Sequence, residues 1–486
     1  MSDKKLFYIT TTLAYVNAEA HMGHALEFIR ADVIARYKKL EGFEVFFNTG
    51  SDEHGQKLYQ KALEEGKTPK EFTSFYADKF KKLMGLLGIT EEEGITRNFI
   101  RTTDENHIKS AQEFWKICDK NGFIYKKNYQ VKYCVGCELE KTDSDLVDGK
   151  CPDHPNSELE IREEENYFFK FSAFGDKLLK LYKENPTFVI PDFRFNEIKA
   201  FVERGLQDFS ISRLKSKMPW GIEVPNDSEH IMYVWFDALV NYVTAIGWPE
   251  DMKKYEKWQV ETGGMVQYCG KDNLRQQSAM WQAMLMACGL SNSKTIVIDG
   301  FATGPGGIKM SKSLGNTVSP VELVEKYSTD ALRYFVTREL STFEDSPVSP
   351  EIFKESYNAN LANGLGNLTS RIMKMAETNL DKPVEISEKT IPQEFYDYLE
   401  KFEIQKATNL IWQKISELDK LIQTEQPFKL VKTDKEKGIE IIVSFVKGLD
   451  TIAEMLNPIM PETSKKIKEL VKTNKSPERP LFLRVE

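Results

Sequence analysis

The sequence predicts an α/β domain on a parallel sheet, split by a small Cys/His-bearing insertion and followed by an all-α helical bundle. Three observations carry this. Strand and helix periods alternate over roughly the first hundred residues, the pattern of βαβ units with ligands at the carboxyl ends of strands. From about Tyr125, short β-like pieces, Gly and Cys replace long helices. After the stretch Asp345–Pro350 strand signals nearly vanish and helical periods run on, cut by prolines.

Taken in order, Leu6–Thr12 (LFYITTT) reads as a strand, and H21-M-G-H24 opens a helical period over Ala25–Leu40. Phe43–Asn48 (FEVFFN) is a second strand, followed by the polar run Thr49–Gly55. Asp52 sits near that strand's carboxyl end, where it either meets a ligand or caps the next helix. The insertion ends at a return strand, Asn166–Phe171 (NYFFKF), and a helical region leads to Ser212 and Arg213. The α/β pattern resumes through Tyr233, Cys269 and the strand Lys294–Asp299 (KTIVID). Helical periods then cover Phe353–Asn379, Glu394–Gln423, Lys435–Leu456 and Pro461–Lys472, with Pro383, Pro392, Pro427 and Pro458 between them.

At 486 residues the chain supports several domains. The start, MSDKK before a strand, lacks the apolar core of a signal peptide, and no apolar run approaches a membrane span. The chain reads as cytoplasmic. A formal charge of −8 argues against bulk attraction to RNA but leaves room for a local basic track.

Three motifs carry chemistry. Cys134-x2-Cys137 and Cys151-x2-His154, thirteen residues apart, can set three thiolates and an imidazole around one tetrahedral zinc ion. All four positions are protein-filled, so the site reads as structural, and the polar stretch between the knuckles leaves the metal to supply folding energy. Cys118, Cys269 and Cys288 read as buried reduced thiols. His21 and His24, with Gly23 between them, open a helix whose N-terminus already favours phosphate. In I308-K-M-S-K-S-L-G-N316, Lys309 and Lys312 follow Gly304, Pro305, Gly306 and Gly307, which suits a loop that grips and releases a polyphosphate.

The histidine motif with Lys-Met-Ser-Lys-Ser about three hundred residues later resembles the class I aminoacyl-tRNA synthetases. Further strings are similar to the methionyl branch: T49-G-S-D-E-H-G55, F201-V-E-R-G-L-Q-D-F-S-I-S-R213, Y233-V-W-F-D-A238, G270-K-D272 and Y357-N-A-N-L-A-N-G-L-G-N-L368. The resemblance implies a Rossmann-like catalytic domain in two halves, residues 1–118 and 216–300, around a connective insertion at 119–215 with the zinc knuckle. Residues 301–350 would form the Lys-Met-Ser-Lys-Ser loop and stem-contact region, and 351–486 an anticodon-binding helical domain. The chain stops soon after the bundle, so the extra C-terminal domain of some relatives is not expected.

The implied activity is methionine–tRNA ligation: ATP activates L-methionine to methionyl-adenylate, and the methionyl group passes to the 3′ end of tRNA(Met), elongator and initiator. Mg²⁺ would accompany the ATP, and the enzyme would be a monomer. His21, His24, Lys309 and Lys312 would be catalytic and, with Gly270 and Asp272, hold ATP. Leu13, Tyr15, Asp52, Trp235, Ala238, Tyr242 and Gln277 would hold methionine, although periodicity alone reads Trp235 and Tyr242 as core. Asn367 and Arg371, in N367-L-T-S-R371, would read anticodon bases. Phe428 in Q426-P-F-K429 stands where the branch usually stacks a Trp. Three more positions depart from the branch: Leu239 where Pro is common, Asn273 where an aliphatic residue is usual, and Gln277 where His is usual.

Among rivals, the isoleucine, leucine and valine enzymes would need an editing-sized insertion, and the cysteine enzyme an open metal site. A non-catalytic RNA-binding relative has no use for both halves of an ATP site.

Overall fold

The computed structural model describes residues 5–141, 145–307, 317–386 and 391–486. They form two compact units. The first comprises Met1–Ala20, Gly42–Met84 and Thr90–Ile298; the second comprises His21–Glu41, Gly85–Ile89 and Asp299–Glu486. Among the described residues no helix is long and apolar enough to cross a membrane.

The first unit is organised by fourteen strands: β1 (Leu6–Thr11), β2 (Ala14–Tyr15), β3 (Glu44–Asp52), β4 (Ile95–Arg101), β5 (Ile124–Cys134), β6 (Leu139–Lys141), β7 (Glu160–Phe169), β8 (Val189–Ile190), β9 (Phe209–Ser210), β10 (Ser212–Leu214), β11 (Glu223–Val224), β12 (Asp227–Met232), β13 (Val266–Gly270) and β14 (Thr295–Asp299). The main sheet runs β2-β3-β1-β13-β14-β8, with β4 also beside β3. β1 pairs in parallel with both β3 and β13, as buried, near-continuously apolar strands do when helices cover a sheet. The sheet also takes in Val189–Ile190, from inside the stretch expected to be wholly inserted. The insertion's own sheet, β6-β5-β7-β9, is antiparallel, and β5 and β7 pair over ten residues from Ile124↔Phe169 to Tyr133↔Glu160. The core of this unit is aromatic: Phe114 packs edge-on to Phe236 and Trp248 and stacks on Trp281 at 5.8 Å.

β3 outruns its expected length. It continues through Thr49–Asp52, so Asp52 closes a strand instead of starting a turn. The next helix, Gln56–Glu64, has Gly55 at its N-cap, which excludes the capping role for Asp52. Gly50 explains the continuation: a Cβ there would stand 1.8 Å from the carbonyl oxygen of Ile100, so only glycine lets β3 lie this close to β4.

In the second unit the helix Met22–Leu40 is buried on nearly every face, which is why no amphipathic stripe marks it. Its buried charges are paired. Arg30 donates to the carbonyls of Val336, Leu340, Ser341 and Thr342 and lies 3.2 Å from Asp299. Asp32 receives Arg36 at 2.8 Å and Arg333 at 2.7 Å. The helical region opens with Pro350–Ser356, passes through wide π-type turns over Tyr357–Gly366, and continues as Asn367–Asn379. The single helix expected over Glu394–Gln423 is two, Gln393–Glu400 and Ile404–Glu425. Phe402 buries its ring at φ +59, a left-handed conformation that breaks the helix, and the Glu403 N–H turns back to the Tyr398 carbonyl at 2.8 Å. Pro427–Thr433, Lys435–Leu456 and Pro461–Thr473 complete the region.

Candidate active site

In the first unit β2 runs parallel to the end of β3 with Tyr15 opposite Asp52. Asp52 Oδ1 is buried and has no hydrogen-bond partner among the described residues. The main-chain N–H of His54 bonds the carboxylate. Burial, then the neighbouring Asp237 carboxylate, pushes the Asp52 pKa well above the usual range. A buried carboxylate oxygen with an open lone pair is costly, and an arriving ammonium relieves that cost.

Asp237 behaves oppositely. Burial raises its pKa, but His54 and His107 outweigh burial and hold it below the ordinary value. His54 Nδ1 lies 2.9 Å from Asp237 Oδ2, and His107 Nε2 lies 3.3 Å from Oδ1. One carboxylate is thus satisfied and ionised while its neighbour keeps one buried oxygen without a partner among the described residues. Glu53, next along the chain, faces away into a bidentate pair with Arg101 at 2.6 and 2.8 Å.

Tyr15 is held by its hydroxyl, which donates to Glu138 Oε1 at 3.1 Å. Glu138 also accepts from the Lys57 N–H at 2.5 Å and from the Tyr133 hydroxyl at 2.6 Å. Gly55, at φ +116, leaves the room: a Cβ there would stand 2.8 Å from the Tyr15 hydroxyl. Leu13 and Tyr242 are buried, whereas Trp235 and Ala238, on the short helix Val234–Ala238, are partly exposed. The Trp235 ring stacks against Tyr233 at 6.5 Å. Leu239, the branch's usual proline position, closes that helix and is buried in the core.

Gln277 is 1% exposed, and its amide bonds Gln267 and Tyr242 at 2.6 Å each, so it is a buried, partnered amide and not an open polar group at a rim. Asn273 is not part of that arrangement: its amide donates to Asp272 Oδ1 at 3.2 Å, on the turn that follows Gly270. Asp272 itself is exposed.

The metal-ligand set converges in the same unit. One donor atom from each of Cys134, Cys137, Cys151 and His154 lies within 4.8 Å of the others. Cys137 Sγ stands 3.3 Å from Cys151 Sγ and 3.2 Å from His154 Nδ1. These spacings suit the edges of a tetrahedron with metal–ligand bonds of about 2.0–2.3 Å. A Cβ at Gly136 would lie 2.4 Å from the His154 ring, so the glycine is what lets the imidazole in.

In the second unit His21 is the N-cap of the helix Met22–Leu40. His21 Nδ1 accepts the Gly23 N–H at 3.1 Å, and His24 Nδ1 accepts the His21 N–H at 3.2 Å. This reciprocal box satisfies two helix-end donors. It also sets the tautomers: a ring nitrogen accepting a backbone N–H carries no proton, so each neutral imidazole bears its hydrogen on Nε2. The rings sit 4.0 Å apart between centroids. Desolvation, then His21, holds the His24 pKa well below the usual imidazole range, so His24 is a neutral donor at pH 7. Lys309 and Lys312 lie outside the described residues.

Also in this unit, Arg371 and Phe428 line one open cavity of about 450 Å³ with Ser370, Lys374, Met375 and Ile422. The Arg371 guanidinium pairs with Asp419. Asn367 is exposed one turn before Arg371 on the same helix.

Sequence reading missed His54, His107, Asp237 and Glu138. Two of these, His54 and Asp237, lie inside the quoted strings T49-G-S-D-E-H-G55 and Y233-V-W-F-D-A238, and Glu138 directly follows Cys137, so a signal existed; their partners were not visible.

A family profile described as tRNA synthetases class I (M) matches residues 7–159 and 153–373. The methionine–tRNA ligase of Caldanaerobacter subterraneus subsp. tengcongensis is 40% identical over 483 residues, covering 96% of this chain and 74% of that one. The methionine–tRNA ligase of Rhizobium meliloti is 38% identical over 489 residues, covering 97% and 92%. Among solved structures, Mycobacterium tuberculosis methionyl-tRNA synthetase in complex with methionyl-adenylate superposes with a TM-score of 0.87 at 34% identity, covering 96% of this chain and 93% of that one.

Proposed function

The chain belongs to the class I methionyl-tRNA synthetases, and on that premise we propose which of its residues carry each step. The reaction is ATP-dependent ligation of methionine to tRNA. The methionine carboxylate attacks the α-phosphorus of ATP, pyrophosphate leaves, and the methionyl group passes from the adenylate to the terminal ribose of tRNA.

The observation that supports this division of labour most is the open, buried Oδ1 of Asp52. It receives the methionine ammonium, and the adjacent His54–Asp237–His107 cluster keeps a second carboxylate ionised but occupied, so only one of the two competes for the cation. Leu13, Tyr15, Trp235, Ala238 and Tyr242 enclose the unbranched thioether, with aromatic rings suited to sulfur. Gly270 and Asp272 receive the adenosine, with the Asp272 carboxylate on the ribose hydroxyls. His21 and His24 donate Nε2–H to phosphate oxygens as negative charge builds, with Lys309 and Lys312 supplying countercharge. The work is positioning and neutralisation, with no general acid or base required for activation. ATP brings Mg²⁺. Cys134, Cys137, Cys151 and His154 hold one zinc ion, which supplies folding energy to the knuckle. The cavity between Arg371 and Phe428, with Asn367 beside it, receives anticodon bases of tRNA(Met) by stacking and edge hydrogen bonds. The domain division expected from the sequence and a monomeric enzyme belong to the same proposal.

The test is amino-acid-dependent exchange of labelled pyrophosphate into ATP across all twenty amino acids, followed by charging of tRNA(Met). Exchange confined to methionine is the expected result; preference for another amino acid overturns the pocket assignment.

A further inference from the structure

The turn that presents Cys137 to the other three metal ligands ends on a residue wired to the amino-acid site. The Glu138 N–H closes this turn, residues 135–138, on the Val135 carbonyl at 3.4 Å. Glu138 itself stands at φ +55, a left-handed conformation uncommon for a residue with a side chain, so its surroundings must hold it there.

The groups that hold it come from distant parts of the chain. The Glu138 side chain is buried. Its Oε1 accepts the Tyr15 hydroxyl at 3.1 Å and the Lys57 main-chain N–H at 2.5 Å, and its Oε2 accepts the Tyr133 hydroxyl at 2.6 Å. The Glu138 carbonyl accepts the Tyr233 hydroxyl, and the Lys57 ammonium donates to the Gly136 carbonyl at 3.4 Å. The Arg213 guanidinium lies over both the Tyr133 and Tyr233 rings, at 5.2 and 4.6 Å.

Two of these bonds bear on methionine. Tyr15 stands opposite Asp52 in the strand register. The Lys57 N–H belongs to the first turn of the helix Gln56–Glu64, whose N-cap Gly55 offers no side-chain acceptor. Glu138, 81 residues away in sequence, supplies one, and a carboxylate is the group that a helix N-terminus favours. One carboxylate, next in the chain to a metal ligand, thus sets both Tyr15 and the start of the helix that follows Asp52.

We propose that Glu138 is a positioning residue that couples the zinc knuckle to the methionine pocket, so that bound zinc and bound methionine each favour the other. The inference rests on the readings that Tyr15 lines that pocket and that the knuckle holds zinc. With the four ligands gathered, the turn keeps Glu138 in its left-handed conformation under Tyr15 and Lys57. With the ligands dispersed, that conformation relaxes, and the Tyr15 hydroxyl and the Lys57 N–H lose their acceptor. In the other direction, methionine packed against Tyr15 keeps the hydroxyl on Glu138 and so keeps Cys137 in place. Coupling between two sites is reciprocal and commonly amounts to about 5- to 150-fold in affinity.

The test is the rate at which the holoenzyme loses zinc to a chromogenic chelator, with no ligand, with saturating methionine and with ATP alone, in wild type, Tyr15→Phe and Glu138→Ala. Metal analysis gives the starting zinc content, calorimetry shows that methionine is bound in each enzyme, and thermal unfolding shows that each is folded. Methionine should slow zinc loss about fivefold in wild type and less than about twofold in both variants, and ATP alone should slow it less than about twofold in all three. Tyr15→Phe keeps the ring and removes only the hydroxyl, so it decides the question if Glu138→Ala does not fold. If methionine binds wild type and zinc loss is unchanged, the coupling is overturned and the pocket reading stands. Full protection in either folded variant, or equal protection by ATP, would show general stabilisation by a ligand and overturn it as well. If wild type binds no methionine the pocket reading fails, and if it carries no zinc the knuckle reading fails; either takes the inference with it.

Discussion

Replacing Asp52 by Asn tests the amino-acid site most directly, because it keeps the shape and removes the charge. Asp52 Oδ1 is buried and open, so methionine would supply its missing partner. Truncating one side of a buried, hydrogen-bonded charge pair costs about 2–5 kcal/mol. That corresponds to a roughly thirtyfold to several-thousandfold loss in kcat/KM for methionine. The KM for ATP should hardly move. The pH profile separates a charge effect from a packing effect. Burial and Asp237 raise the Asp52 pKa, and the ammonium prefers the ionised carboxylate. Wild-type kcat/KM for methionine should therefore fall as pH drops through that raised pKa, whereas Asp52→Asn should be flat there. Stability should move the other way. The folded state holds the Asp52 proton more tightly than the unfolded chain, so stability falls as pH rises from the ordinary carboxylate range to the raised value. Asn removes that penalty, and the variant's Tm at neutral pH should equal or exceed wild type. The assay is methionine-dependent pyrophosphate exchange over a pH series, with thermal unfolding alongside. A variant within about threefold of wild type, or one with the same acid limb, would refute the ammonium assignment.

Glu138→Gln leaves three donors, from Tyr15, Tyr133 and Lys57, competing for one acceptor oxygen, and should raise the KM for methionine about fivefold while zinc content by metal analysis stays at one per chain. His24→Ala removes a neutral Nε2–H donor and half of the helix cap; adenylate formation should slow about a hundredfold with a smaller change in ATP binding, and a pure KM effect on ATP would contradict the transition-state role. Cys151→Ser should lose the zinc and speed proteolysis within residues 134–154 while leaving the far-UV helix signal intact; freshly prepared wild type without zinc would dismiss the knuckle. Arg371→Ala and Phe428→Ala should each weaken charging of tRNA(Met) about tenfold or more and leave pyrophosphate exchange unchanged, since both line a cavity of the helical region; a drop in exchange would show that they act on activation instead.

The histidine motif, the Cys/His knuckle, several strands of the parallel sheet and the helical C-terminal region were legible in the chain because each is a local pattern: a spacing of three or four residues, a run of apolar residues, a proline between periods. The glycines signalled as much. Gly23, Gly55 and Gly136 stand where a Cβ would strike His21, Tyr15 and His154, and two of the three lie in motifs quoted for their chemistry. What remained hidden depends on residues far apart. Asp237 is 183 residues from His54 and 130 from His107, and no local pattern shows that one carboxylate would be satisfied and its neighbour Asp52 left open. The break at Phe402 was invisible because helix propensity continues through a residue that packing pulls into a left-handed turn. Gln277 is the sharpest case: sequence marked it as a departure, but its role depends on which atoms of Gln267 and Tyr242 face it. Gln267 and Tyr242 lie 10 and 35 residues from Gln277, and only the folded chain brings their side chains to its amide.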